Sequence, residues 1–217
     1  MSQFGQNVEG YTIPVLNERE IRASAGLLFL FAFISIMTAI FKGEMFLLKY
    51  FIIGFLLDFG IRLFINPRYA PMLIIGRLIV SNQVPEYVGA KQKKFAWNIG
   101  FALAVIMLGL IVILNSYSII TGLICLICLI FLFFESAFGI CLGCLFYKWV
   151  YKEKAQYCPG EVCEVKDRQP IQKTPFTHFI ILIGFIGFIT ASAYLFNDTF
   201  KEQPRDLWEI VDEKLAD

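Results

Sequence analysis

Four cysteines stand close together in this chain. Cys141 and Cys144 form C-L-G-C, and Cys158 and Cys163 form C-P-G-E-V-C. Thiols are the chemically distinctive side chains here, so these residues set the range of functions. Three readings fit them. In the first, they form a thiol-redox or sulfur-carrying relay, one pair exchanging with a soluble thiol partner and the other resolving it. In the second they bind a metal. The spacing C-x2-C-x13-C-x4-C resembles a four-thiolate zinc site, so zinc is the cofactor it admits, with Cys141, Cys144, Cys158 and Cys163 as ligands. His178, the one histidine, is a substitute ligand on that reading. In the third, small and mildly apolar side chains pack at the end of a bundle.

Helix polarity works against a thioredoxin-like reading of C-L-G-C. A reactive thiolate is favoured at a helix N-terminus, whereas this pair is expected at the C-terminal end of a helix, where the dipole disfavours negative charge. Lys148, Lys152 and Lys154 follow and offset it. Redox chemistry needs those cations, or a helix that ends before Cys141. If the helix continues, Cys141 and Cys144 share one face. Gly139 and Gly143 make G-x-x-x-G, which reads as ordinary close packing. Pro159-Gly160 predicts a turn that brings Cys158 and Cys163 together. Cys125 and Cys128 repeat the C-x2-C spacing deeper in the same run and read as core residues.

Charged residues inside apolar runs are the second group with chemical potential. Asp58 and Arg62 are four apart and share a helical face. Mutual pairing is one reading, and an anion site at Arg62 tuned by Asp58 is the other. Arg68 and Tyr69 follow through Asn66-Pro67 and are expected to line the same mouth. Glu135 is expected to pair with Arg62 or Arg22, with proton acceptance from a nearby thiol as the alternative.

The elements that must position these groups are membrane helices. Of the 217 residues, 58% are hydrophobic, and 17% are charged and cluster between apolar runs; a soluble domain is less apolar. Five runs approach the length needed to span a bilayer: Ala23 to Phe41, Met45 to Ile65, Phe95 to Leu114, Tyr117 to Phe146, and Phe176 to Phe196. In lipid they must be helices. Asn115-Ser116 predicts a tight turn, making an antiparallel hairpin of the third and fourth. Pro71 to Val80 is too short to span and predicts an interfacial helix or core plug. Leu207, Val211 and Leu215 predict an amphipathic helix over residues 204–216. The polar first 22 residues carry no expected secretory signal.

Lys and Arg concentrate in the N-terminal segment and in the loops after the second and fourth runs. The positive-inside rule then places the N-terminus and all four clustered cysteines at the cytoplasmic face, with the inner membrane as the expected location. A cytoplasmic address argues against structural disulfides. Net charge is +1 and indicates no nucleic-acid partner. There is no nucleotide loop, haem-type His pair or Ser-His-Asp set.

Four ordered blocks carry a family resemblance: N-E-R-E-I-R-A (Asn17 to Ala23), L-D-F-G-I-R-L-F-I-N-P-R-Y-A-P (Leu57 to Pro71), K-K-F-A-W-N-I-G (Lys93 to Gly100) and E-S-A-F-G-I-C-L-G-C-L-F-Y (Glu135 to Tyr147). Over roughly residues 15 to 148 the chain resembles the bacterial integral-membrane domain-of-unknown-function family 4395. The resemblance implies about four helices ending in C-x-G-C-x-x-Y. It also implies thiol or sulfur chemistry, because some relatives occur with thioredoxin- or rhodanese-type partners. The chain departs from that pattern after Tyr147, adding C-P-G-E-V-C, a fifth apolar run and a tail. Many relatives carry an early Cys-Pro, where this chain has Thr12-Ile13-Pro14.

These observations predict an all-α polytopic membrane bundle of about five transmembrane helices. The working hypothesis is a thiol-redox or sulfur-handling component served by a thioredoxin- or rhodanese-like cytoplasmic carrier. Its thiols are Cys141, Cys144, Cys158 and Cys163, and its binding residues Asp58, Arg62, Arg68 and Glu135. A metal-binding or small-anion transport protein and a structural membrane assembly factor are the alternatives.

Overall fold

A computed structural model describes residues 4–142, 173–208 and 212–213. It is an all-α bundle with two very short sheets. The first sheet pairs β1 (Val15–Asn17) with β2 (Tyr87–Gly89), antiparallel, with Leu16 opposite Val88. Each strand leads directly into a long helix, so the ribbon fixes the N-termini of α1 (Glu18–Lys42) and α4 (Ala90–Met107) at one end of the molecule. Asn17 caps α1 by accepting from the Arg19 N–H at 3.2 Å, satisfying one of the donors a helix start leaves open.

From the far end, α2 (Phe46–Gly60) returns to the ribbon end and continues as a π-helical turn, Ile61–Ile65. A 3-10 turn, Pro67–Tyr69, leads into α3 (Pro71–Ile79). This short helix packs mainly on α1. The approach requires glycine, since a Cβ on Gly76 would lie 2.5 Å from the Glu20 carbonyl oxygen. α4 continues through a π-helical stretch, Leu108–Ile113, to the far end. There Asn115 turns the chain with φ 47°, and Ser118 and Thr121 form a capping box for α5 (Ile119–Phe133). α6 (Phe176–Lys201) then crosses the full length again. Behind it β4 (Arg205–Asp206) pairs in parallel with β3 (Ser116–Tyr117).

Among the described residues, four helical stretches are long and apolar enough to cross a membrane: Glu18–Lys42, Ala90–Ile113, Ile119–Phe138 and Phe176–Lys201. Their outer surfaces expose Phe, Ile and Leu, as a lipid environment permits. The second expected span differs in kind. It is helical over residues 46–65 but carries Lys49, Asp58 and Arg62, all three buried in the bundle. The core around it is Leu28, Phe55, Phe59, Trp97 and Leu132 at the ribbon end, and Leu48, Ile52, Met107 and Ile124 toward the far end.

Two boundaries depart from the sequence expectation. The fourth run is apolar to Phe146, yet α5 and its π-helical extension (Phe134–Phe138) stop at Phe138. Gly139 takes φ 66°, and the Ile140 N–H donates back to the Phe134 carbonyl at 3.1 Å. This left-handed glycine closes the helix where hydropathy gives no sign of an end. Gly139 is therefore a helix terminator and not part of a continuous G-x-x-x-G face. In the tail, Arg205 and Asp206 form a strand at the start of the expected amphipathic helix, and Leu207, Trp208, Asp212 and Glu213 are helical. Residues 209–211 and 214–217 of that tail lie outside the described residues.

Candidate functional site

The ribbon end of the bundle gathers most of the buried charge. On α2, Arg62 Nε donates to Asp58 Oδ2 at 2.7 Å, and its Nη2 lies 2.6 Å from the same oxygen. Both side chains are essentially without solvent exposure. Asp58 Oδ1 accepts the Met72 N–H at 2.8 Å. One carboxylate thus neutralises the arginine and satisfies a donor in the first turn of α3. Arg62 Nη2 also reaches Ser24 Oγ on α1 at 3.4 Å. Its guanidinium lies 4.5 Å from the Phe59 ring centre and 5.1 Å from that of Trp97, faces that favour a cation. The π-helical turn at Ile61–Ile65 carries this residue, and such turns widen a helix at functional positions.

Glu135 sits on the other π-helical turn near the site, at the end of α5. Its partner is Lys93 of α4, in place of the expected Arg62 or Arg22. Lys93 Nζ also lies 3.0 Å from Glu18 Oε1 and 2.8 Å from Oε2. Lys93 is 1% exposed and Glu18 is fully buried. This triad ties the ends of α1, α4 and α5 together. Arg22 packs instead on Gly139, where its guanidinium carbon would stand 3.1 Å from an added Cβ.

A cavity of about 70 Å³ lies between α1, α2, α4 and α5. Arg62, Glu135, Trp97, Phe59, Cys128 and Cys141 are among its walls. Cys141 is the described member of the thiol cluster. It follows the helix end at Phe138 and is half-buried. The condition that the helix end before Cys141 is met. The alternative, with Cys141 and Cys144 on one continuous helical face, is not, because residues 139–141 are not helical.

Arg68 does not join this cavity. It lines a separate cleft of about 20 Å³ with Asn66, Glu20 and Arg77. That cleft borders a second buried network which sequence reasoning missed. Arg77 Nη2 pairs with Glu20 Oε2 at 3.1 Å, and its Nη1 lies 3.2 Å from His178 Nδ1. A guanidinium only donates, so Nδ1 must accept and Nε2 carries the proton. His178 thereby joins α6 to α3. At the far end Lys49 Nζ reaches the Phe200 and Glu202 carbonyls at 3.4 and 3.3 Å. α6 is held to the bundle by a buried polar contact near each end.

The remaining cluster residues, Cys144, Cys158 and Cys163, lie outside the described residues, as do Gly143, Lys148, Lys152 and Lys154. The four-thiolate zinc arrangement and the turn expected at Pro159-Gly160 therefore have no described geometry. Among the described residues, no three of His, Cys, Asp and Glu are grouped to hold a metal ion. Cys125 and Cys128 are thiols packed against the far core cluster. The signal for Glu18 and Lys93 was present in the sequence, inside the N-E-R-E-I-R-A and K-K-F-A-W-N-I-G blocks. Their position at the foot of apolar runs reads as a solvated boundary, which concealed their burial.

A family model described as "Domain of unknown function (DUF4395)" matches residues 16–152. The match contains every cavity-lining residue and ends before α6. No curated protein and no solved structure matches the chain. With more than half of its length matched, the chain belongs to domain-of-unknown-function family 4395.

Proposed function

We propose that this membrane protein handles thiols. Cys141 is its exchanging thiol and a soluble dithiol protein of the thioredoxin type its partner. The observation that carries this reading is that Cys141 lies beyond the end of α5, on the wall of the cavity that Arg62 and Glu135 also line. A thiol at a helix C-terminus meets the unfavourable end of the dipole. Gly139 ends the helix two residues earlier, which takes Cys141 out of the helix itself.

In the exchange, the Cys141 thiolate attacks one sulfur of the carrier's disulfide; that S–S bond breaks, the carrier's other sulfur leaves as a thiolate and takes up a proton, and a mixed disulfide forms. A second thiol of this chain, Cys144 on our reading, attacks the Cys141 sulfur and releases the carrier as a thiolate, which takes up a proton. Two electrons pass from the cysteine pair to the carrier, and the reverse direction uses the same steps. The Lys and Arg distribution supports a cytoplasmic position for this end, where such carriers reside.

The test follows exchange between the reduced, purified protein and an oxidised dithiol carrier. Cys141→Ser is expected to abolish exchange, while Cys125→Ser and Cys128→Ser leave it near the wild-type rate. Unchanged exchange in Cys141→Ser removes the proposal.

A further inference from the structure

The 70 Å³ cavity has a neighbour. A second cavity, of about 40 Å³, continues along the bundle toward the far end. Phe55 and Cys128 line both, so the two adjoin at these side chains. The second cavity is walled by apolar residues and the thiols of Cys125 and Cys128 alone; Ala104 and Met107 stand at its α4 side. Protein interiors are close-packed with few voids.

Size and charge define what fits. At the density of liquid water, about 30 Å³ per non-hydrogen atom, the two volumes hold roughly four such atoms. An anion finds no free cation there, because Arg62 is met by Asp58 at 2.6 Å and Lys93 is shared by Glu18 and Glu135. The second cavity offers an ion nothing, and a buried unpaired charge is costly. These limits select a small uncharged molecule with a polarisable group at the Cys141 end and an apolar remainder toward Phe55 and Cys128.

Building on the thiol reading above, we propose that the paired cavities admit small uncharged dialkyl disulfides to Cys141. The Cys141 thiolate attacks one sulfur of R–S–S–R. The S–S bond breaks, Cys141–S–S–R forms, and R–S⁻ leaves and takes the proton that Cys141 released. The carrier dithiol then reduces the mixed disulfide. Cys141 regains its thiol, the second R–SH departs and the carrier is left as its disulfide. One dialkyl disulfide gains two electrons and two protons, and one carrier dithiol loses them.

The test needs no carrier. Reduced protein is treated with dimethyl disulfide or with glutathione disulfide, which is charged and too large. Adduct formation at Cys141 is followed by mass spectrometry, each rate being divided by that of a free small thiol. The normalised rate with dimethyl disulfide is expected to exceed the other by about tenfold or more. Ala25→Leu, which fills the larger cavity, is expected to erase that preference. If this variant fails to fold, Ala96→Leu on the opposite wall gives the same reading from a half-buried position. Equal normalised rates, or a preference that survives filling, overturn the proposal while exchange with the carrier stands. A Cys141 inert to both disulfides overturns the thiol reading with it.

Discussion

Glu135 and Lys93 are ion-paired across the α4–α5 interface, at the wall of the cavity that Cys141 also lines. Because Lys93 also holds Glu18 at 3.0 Å, one ammonium sets the relative positions of three helix ends. The thiol beyond α5 is thereby located relative to Arg62 by charge pairing as well as by packing.

Lys93→Met is expected to destabilise the protein strongly. It leaves Glu18, fully buried, without its cation, and breaking a buried pair costs about 3–5 kcal/mol. Thermal unfolding in detergent should show a marked fall. Adding Glu18→Gln and Glu135→Gln should recover much of it, since the stranded charges are then gone. A single variant that melts with the wild type would show that the pairing carries no weight.

Arg62→Lys is expected to fail as a conservative change. Arg62 uses Nε and Nη2 together on Asp58 and lies over the Phe59 and Trp97 rings. A lysine cannot reproduce the paired donors on Asp58. Both Arg62→Lys and Arg62→Met should lower stability by at least about 2 kcal/mol, read by chemical unfolding. Wild-type stability in Arg62→Lys contradicts the geometry.

How much of this was legible in the sequence depends on what each feature's signal is. Hydropathy locates the helices because an apolar run of spanning length admits little else. It cannot locate the end of α5. Phe138 and Leu142 are both apolar, and the stop is a backbone event at Gly139. Asp58 and Arg62 were visible as charges in an apolar run at helical spacing. Arg77 was visible in the same way inside Pro71 to Val80, but Glu18 and Lys93 were not, because a charge at the foot of a run is most often solvated. Their burial depends on β1 pairing with β2 and on α3 folding onto α1, contacts distant in sequence. Asn66 extends and turns the chain after α2, directing Arg68 into a different cleft.

Gly76→Ala is expected to cost about 1–3 kcal/mol, since its Cβ would lie 2.5 Å from the Glu20 carbonyl oxygen and 3.1 Å from the Ser24 nitrogen. Gly184→Ala on α6 meets nothing within 4 Å and should change stability little. Paired melting curves check the contrast, and equal effects would show that α3 does not approach α1 as described.

Lys49→Met is expected to loosen the C-terminal end of α6 without unfolding the bundle. The ammonium bonds the Phe200 and Glu202 carbonyls, a contact worth about 1–3 kcal/mol. Limited proteolysis near Lys201 should accelerate several-fold, with cleavage elsewhere unchanged. Identical digestion of variant and wild type counts against the contact.

The central claim is that Cys141 is the thiol that meets the partner. The most direct measurement traps the mixed disulfide with a dithiol carrier whose second cysteine has been changed to serine, then maps the linked peptide by mass spectrometry. The account predicts a crosslink at Cys141, lost in Cys141→Ser. A crosslink confined to Cys125, Cys128, Cys158 or Cys163, with Cys141 unmodified, would contradict it.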